Sequence, residues 1–333
     1  MQVNNPTIDS PVFTSLDTSS TSLHQTIPSS YRDFLLRTHE TEFNHVYSAY
    51  FELNYSTQSK VLERLQNCRC RSSFAVNIQS RKVKVLSSSC NVRFCPLCDG
   101  GRRSLIYKNT LEYIENIKAP KMITLTLKAT DEPLAEQIDF LYKSAKNFRR
   151  LKSIKKVLRG GIFFFQLTQN ATTKLFHPHL HILCDCDYIN QKKLSDEWRS
   201  VTGGSYIVDV RQVKNAKSAA DYVSRYTTKP CLLSKFSLDD SQKIIMAFSG
   251  RRLCGTFGNA FKAKLTKKPE FKLSDWLKIG SWSVVANLIN YDENAALIFD
   301  CWRNHKPLPD GVSLGLLDHV FGERSPSVDL ILE

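Results

Sequence analysis

The sequence predicts an α+β fold in which helices flank a largely antiparallel sheet. Segments with apolar residues at every second position, as in strands, alternate along the chain with segments of helical spacing. Two strand segments, residues 162–168 and 176–183, are separated by a short polar turn, and strands joined in this way pair antiparallel. The 333 residues suffice for one large domain with extensions or for two domains.

Changes in composition along the chain predict four regions. Residues 1–30 are rich in Ser, Thr and Asn and nearly uncharged, which is typical of a disordered tail. Residues 31–110 combine a helical lead-in with a small cysteine-rich module that precedes the sheet. Residues 115–262 contain the sheet, and residues 263–333 form a helical accessory region to which the sequence assigns no function.

The chain is basic, with 46 Lys and Arg residues against 32 Asp and Glu residues and a formal net charge of +14. An excess of this size favours a polyanionic partner such as nucleic acid. The sequence has no run of about 18 uncharged apolar residues, and its N-terminus lacks the basic and hydrophobic segments of a secretion signal. We therefore expect a cytoplasmic protein without membrane association.

Five of the ten cysteines lie close together before residue 100, and in a cytoplasmic protein such a cluster indicates a metal site rather than disulfides. Cys95 and Cys98 form a two-residue knuckle, with Cys90 nearby. Cys68 and Cys70 compete for the fourth position of a closed tetrahedral site. The module is therefore predicted to hold structural Zn²⁺.

Several cations are candidates for contact with DNA phosphates, although a solvated basic face would explain them equally well. Those near the cysteine module are Arg93, Arg102 and Arg103. A long helix is predicted over residues 133–159, ended by Gly160 and Gly161. The cations on its polar face include Lys146, Arg149, Arg150 and Lys155.

Residues 176–183 predict a strand with different chemistry on its two faces. Because side chains alternate along a strand, His177, His179 and His181 share one face and aliphatic residues share the other. Neutral imidazoles at this spacing can bind one divalent metal ion. The preceding strand pairs through the short turn and carries Gln166, whose amide oxygen is a further candidate ligand.

A helix that ends at Pro230 presents two phenols on one face, since Tyr222 and Tyr226 are four residues apart. Such pairs are commonly core or surface aromatics. A phenol has a pKa near 10, so attack on phosphorus at neutral pH needs a metal ion or a nearby cation, for which Lys229 and Arg225 are candidates. Arg225 is also a candidate for contact with DNA phosphates.

Four segments in this order resemble the rolling-circle replication initiators, the Rep proteins of the HUH endonuclease superfamily. They are Cys90–Cys98, Met122–Leu127, His177–Leu183 and Tyr222–Lys229. The resemblance implies an HUH endonuclease-like core in which His179 and His181 pair as ligands of Mg²⁺ or Mn²⁺. It further implies that Tyr226 is the nucleophile that nicks plasmid origin DNA, leaving a 5′-phosphotyrosine and a 3′-hydroxyl primer.

The sequence departs from the family pattern at two positions. Tyr222 stands where many plasmid initiators have glutamate, which favours the two-tyrosine initiators, in which the second tyrosine acts in joining the displaced strand. Gln166 stands where relatives tend to have glutamate, so Gln166 and His177 compete for the third metal position.

The resemblance implies plasmid origin DNA, single-stranded or in a hairpin at the nick site, as the partner. The sequence contains no Gly-x-x-x-x-Gly-Lys-Ser/Thr phosphate loop, so host helicase and DNA polymerase are expected to act with it. Two alternatives are an HUH transposase or relaxase, and a zinc-stabilised nucleic-acid-binding protein without catalysis. The sequence does not predict an oligomeric state.

Overall fold

The computed structural model describes residues 27–53, 58–228, 231–263, 265 and 272–314. Residues 1–26 of the predicted tail lie outside the described residues, as do Lys229 and the side chain of Tyr226. The predicted class is confirmed, because the described part of the chain forms antiparallel sheets flanked by helices. None of the described helices is long and apolar enough to cross a bilayer.

Helices and strands are interspersed along the described part of the chain. The described α-helices are α1 (Tyr31–Glu52), α2 (Gln58–Gln66), α3 (Pro96–Glu115), α4 (Leu134–Phe148), α5 (Lys152–Lys155), α6 (Gln191–Thr202), α7 (Ala216–Thr228), α8 (Leu238–Phe248), α9 (Trp282–Leu288) and α10 (Glu293–Arg303). The described strands are β1 (Ser72–Asn77), β2 (Val83–Ser87), β3 (Pro120–Thr126), β4 (Leu158–Gln169), β5 (Phe176–Cys186), β6 (Val208–Gln212), β7 (Cys254–Gly258) and β8 (Trp276–Ser281).

The larger sheet has five strands in the order β6-β3-β5-β4-β7, and every neighbouring pair is antiparallel. The strand that carries the histidines, β5, is therefore the central strand. The short turn before it makes β4 and β5 a hairpin, as the sequence predicts.

Helices cover both faces of this sheet. On one face Ile162, Phe164 and Leu183 pack in a core with residues of α3 and α7. On the other face Leu180 and Ile182 belong to the main core, which also contains buried residues of α4, α6 and α8. The alternation of β5 thus separates a histidine face, covered by α3 and α7, from a purely apolar face.

The prediction of one long helix over residues 133–159 is wrong for the second half of that range. Helix α4 ends at Phe148, α5 is a single turn, and β4 already begins at Leu158. Gly160 and Gly161 therefore lie inside β4, where a Cβ on Gly160 would come within 2.2 Å of the Asn259 side chain. These glycines permit close approach of neighbouring backbones and do not end a helix.

A second core joins the two ends of the chain. Strand β8, from the predicted accessory region, pairs with β1 to form a three-stranded sheet in the order β2-β1-β8. Trp282 is 1% exposed and stacks on Phe74 with ring centroids 5.2 Å apart. Phe34 of α1 and Phe299 of α10 pack against the same indole. The domain boundaries at residues 110 and 263 remain predictions. Elements β8, α9 and α10 of the predicted accessory region pack on β1 and β2.

We expect Trp282→Ala to lower the free energy of unfolding by about 3–5 kcal/mol, because it removes a fully buried indole and leaves a cavity. Urea titration followed by circular dichroism measures this change. Tyr291→Ala is the control, because Tyr291 is 85% exposed. A loss below about 1 kcal/mol for Trp282→Ala would contradict a core shared by the two ends of the chain.

Candidate metal centre and the tyrosine helix

Three side chains of the β4–β5 hairpin converge on one point. Gln166 lies directly opposite His179 in the register, and His181 follows on the same face of β5. The Gln166 Oε1 atom contacts Nε2 of both imidazoles, and its distance from His181 Nε2 is 2.6 Å. The structure therefore brings together one amide oxygen and two imidazole nitrogens, as the pairing of the hairpin strands predicts.

The surroundings of the imidazoles determine their protonation. His179 Nδ1 donates a hydrogen bond to the His177 carbonyl oxygen at 3.1 Å, which leaves Nε2 as the ring nitrogen with a free lone pair. Thr124 Oγ1 lies 3.1 Å from His181 Nδ1. Burial lowers the pKa of His179 to about 4 and the pKa of His181 to about 3. Both imidazoles are therefore neutral at pH 7, the form that binds a metal ion.

His177 contacts the histidine cluster through its backbone and not through its imidazole nitrogens. The His177 and His179 ring centroids lie 5.9 Å apart, and His177 reaches its neighbour through its backbone carbonyl. Of the two rivals for the third position, Gln166 is the one whose ligand atom meets both His179 and His181.

Helix α7 brings an aromatic residue onto this cluster. The Tyr222 ring meets the His181 ring edge-on, with centroids 5.4 Å apart and an interplanar angle of 85°. On the same helix Ala220 and Val223 are fully buried against the sheet, which fixes the rotation of α7 that points Tyr222 at the histidines. The backbone of Tyr226 lies one turn further along α7.

A second cluster is formed by four thiols. Cys68, Cys90, Cys95 and Cys98 are buried, and their sulfur atoms lie within 4.8 Å of one another. The Sγ atom of Cys98 is 3.3 Å from that of Cys68 and 3.4 Å from that of Cys90. Cys70 lies outside this cluster, because it is exposed and its thiol donates to the Gln66 carbonyl oxygen.

The four thiols could hold a metal ion such as zinc. Zinc–sulfur bonds of about 2.3 Å in a tetrahedron place sulfur atoms roughly 3.8 Å apart, close to the separations in this cluster. Cys95 occupies the position just before the first residue of α3, so that helix begins beside the cluster.

Four of the arginines that are predicted to contact DNA bind other groups of the protein in the structure. Arg93 donates to the carbonyl oxygens of Phe248 and Arg251, and Arg102 donates to that of Val92. Arg103 and Arg225 both bind one carboxylate, that of Asp221. Contact of these arginines with DNA remains a prediction.

The other predicted cations, Lys146, Arg149, Arg150 and Lys155, lie in or beside α4 and α5. Helix α4 packs on the apolar face of the sheet, opposite the histidine face. Arg149 stacks on the Phe257 ring at 4.2 Å, while Lys146, Arg150 and Lys155 are exposed. A DNA contact by these cations would therefore lie on the opposite helix layer from the histidines.

Sequence reasoning missed two residues of this region. Thr124 contacts His181 across strands, and the Thr-Leu-Thr alternation of residues 124–126 could have indicated it, because every second residue of β3 faces the histidines. Asp221 joins α7 to α3, and no local pattern indicates a contact between helices more than a hundred residues apart in sequence.

A family model described as Replication protein matches residues 81–281, which include the histidine cluster, α7 and three of the four clustered thiols, all but Cys68. The chain belongs to this family. Its membership confirms the resemblance to replication initiators that the four sequence segments indicate.

Proteins named Protein rep are similar to this chain over its central part. The relative from Staphylococcus aureus is 28% identical over 170 residues, covering 46% of this chain and 74% of its own length. The relative from Bacillus sp is 30% identical over 205 residues, covering 55% and 66%, and that from Bacillus amyloliquefaciens is 32% identical over 176 residues, covering 46% and 50%. No solved structure matches the chain significantly.

We predict that the double variant Cys95→Ser, Cys98→Ser loses bound zinc, because two ligands of the closed site are removed. Cys70→Ser is the matched control and is expected to retain about one zinc per chain. Inductively coupled plasma mass spectrometry of the purified variants measures the content. Equal zinc content in the double variant and the wild type would contradict a zinc site at these thiols.

Proposed function

We propose that this replication protein is a plasmid rolling-circle initiator that cuts and rejoins one strand of its origin DNA by tyrosine attack. The observation that carries the proposal is the contact between the Tyr222 and His181 rings, with the Gln166 amide oxygen against both imidazoles. A helix with two tyrosines thus faces a cluster of metal-ligand atoms on a sheet, in a protein of the replication family.

Gln166, His179 and His181 would hold the metal ion of this site. One oxygen and two neutral nitrogens suit Mn²⁺ better than Mg²⁺, which prefers oxygen ligands. When bound, the ion supplies polarisation of a phosphoryl oxygen of the scissile phosphodiester. The three side chains carry no charge of their own, so the full charge of the ion would act on the phosphate.

The reaction is a transesterification. The Oη atom of Tyr226 forms a bond to phosphorus and loses its proton, while the bond from phosphorus to the 3′-oxygen breaks and that oxygen gains a proton. The products are a 5′-phosphotyrosine and a free 3′-hydroxyl that host DNA polymerase extends. Because one phosphodiester replaces another, the bond energy is kept for rejoining.

Tyr222 would perform the second transfer. When the origin sequence is regenerated, its phenol attacks the new junction, and the freed 3′-hydroxyl then attacks the first phosphotyrosine and closes the displaced strand. Lys229 and Arg225 would supply positive charge near the phenols, which favours the phenolate. A host helicase belongs to the same proposal, since the sequence contains no phosphate loop. A cytoplasmic location belongs to it as well, because the substrate is plasmid DNA.

We expect Tyr226→Phe to abolish cleavage of single-stranded origin DNA in Mn²⁺, because the attacking oxygen is absent. Tyr222→Phe keeps the ring on His181 and is expected to cleave while joining the strand at least about tenfold more slowly. Labelled oligonucleotides that tile the origin report both steps on denaturing gels. Tyr188→Phe is the control, since Tyr188 is 80% exposed and lies beyond the C-terminal end of β5. Cleavage by the double variant lacking both phenols would overturn the mechanism.

Gln166→Glu is expected to tighten Mn²⁺ binding at least about tenfold, because a carboxylate adds a negative charge directly against the ion. Isothermal titration calorimetry measures the Kd. Gln212→Glu on β6 adds the same charge to the same sheet, where Gln212 accepts a hydrogen bond from Lys121, and is expected to leave the Kd unchanged. Unchanged affinity in Gln166→Glu would exclude Gln166 as a ligand.

A further inference from the structure

Two guanidinium groups meet one carboxylate where α3 lies against α7. Arg103 of α3 donates from Nη2 to Asp221 Oδ1 at 2.8 Å. Arg225 of α7 donates from Nη2 to Asp221 Oδ2 at 2.6 Å. Each carboxylate oxygen therefore holds a different arginine, and the spacing between the two guanidinium groups is determined by the width of one carboxylate.

The cluster is not needed to hold the two helices together. Ile106 and Tyr113 of α3 and Ala220 and Val223 of α7 are buried in one apolar core, which packs the helices against the sheet. The Arg103, Arg225 and Asp221 side chains keep 38%, 38% and 42% of their surface exposed. Ion pairs at this exposure contribute little to stability.

The cluster of Arg103, Arg225 and Asp221 can bind a further anion, because it has a net positive charge and N–H donors that Asp221 does not use. Two cations face one anion, so one positive charge is uncompensated within the cluster. A guanidinium has five N–H donors, and Asp221 accepts from one nitrogen of each arginine. The buried Nε atom of Arg225 has no hydrogen-bond partner among the described residues. Planar groups with unused donors and net positive charge are suited to phosphate oxygens.

The position of the cluster connects it to the proposed reaction. Asp221 directly precedes Tyr222, whose ring lies on His181. Arg225 directly precedes Tyr226 on the same helix. Both arginines are therefore bound to the residue that precedes Tyr222, on the helix layer that covers the histidine face.

We propose that Arg103 and Arg225 bind the phosphates next to the scissile phosphate, and that Asp221 is a positioning residue that holds both guanidinium groups at the spacing that aligns the scissile phosphate for attack. The inference rests on the proposed function. Asp221 touches neither the DNA nor the reacting atoms and acts through the two arginines. Its negative charge weakens binding of DNA slightly, while the order that it gives to the arginines increases the rate of cleavage.

The test separates binding from cleavage. Binding is measured with fluorescein-labelled dT20 at several salt concentrations, and cleavage with saturating origin oligonucleotide under single-turnover conditions. Arg103→Ala and Arg225→Ala are each expected to weaken dT20 binding and to reduce the slope of log Kd against log salt by about 0.7, the value for one lost phosphate contact on a single strand.

Asp221→Asn is expected to bind dT20 equally well or up to about threefold more tightly, since an anion is removed. The same variant is expected to cleave at least about tenfold more slowly, and Asp221→Glu, which keeps a carboxylate, to recover most of the rate. Asp139→Asn is the matched control. Asp139 also accepts two arginine hydrogen bonds, both from Arg251, but it lies on α4, on the apolar face of the sheet.

The outcomes are distinguishable. Unchanged salt slopes in Arg103→Ala and Arg225→Ala would overturn the phosphate contacts. A cleavage rate unaffected by Asp221→Asn, or a loss of binding in parallel with a lowered melting temperature, would overturn the positioning role. If the wild type cleaves no origin oligonucleotide while the salt slopes fall as expected, the proposed function fails and the phosphate contacts stand.

Discussion

The alternation of side chains along β5 is the constraint on which the candidate site depends. Leu180 and Ile182 are buried in the main core, so His179 and His181 must face the other way. A shift of one residue in the register would place imidazoles in the apolar core and aliphatic side chains on the opposite face. The cost of burying unpartnered imidazoles therefore selects the register that also places Gln166 opposite His179.

The same register determines the chemistry of the imidazoles. Neighbouring strands supply Thr124 and Gln166, the preceding residue of β5 on the same face supplies the His177 carbonyl oxygen, and α7 places the Tyr222 ring on His181. Burial then keeps His179 and His181 neutral far below pH 7. Helix α3 begins at the thiol cluster and packs along α7, so the cysteine module and the tyrosine helix belong to one continuous helical layer.

Local patterns predicted much of this arrangement. The strand of β5, its hairpin with β4, the tyrosine helix and the knuckle of Cys95 and Cys98 all rest on short-range spacing, and each is present. Patterns could not decide between Cys68 and Cys70, because only the fold shows which of two nearby thiols turns inward. They also failed after Phe148, where Leu151, Ile154 and Leu158 continue the helical spacing of α4 although α4 has ended and Leu158 is the first residue of β4. The pairing of β8 with β1 joins segments about 200 residues apart, which no local signal reports.

The most direct measurement is the site of covalent attachment between protein and DNA. Wild-type protein is incubated with Mn²⁺ and the origin oligonucleotide, digested with trypsin and nuclease, and mapped by mass spectrometry. Trypsin cuts after Arg225, so Tyr222 and Tyr226 fall in different peptides. We expect a nucleotide adduct on the peptide that begins at Tyr226. Cleaved DNA with no adduct, or an adduct outside α7, would contradict it.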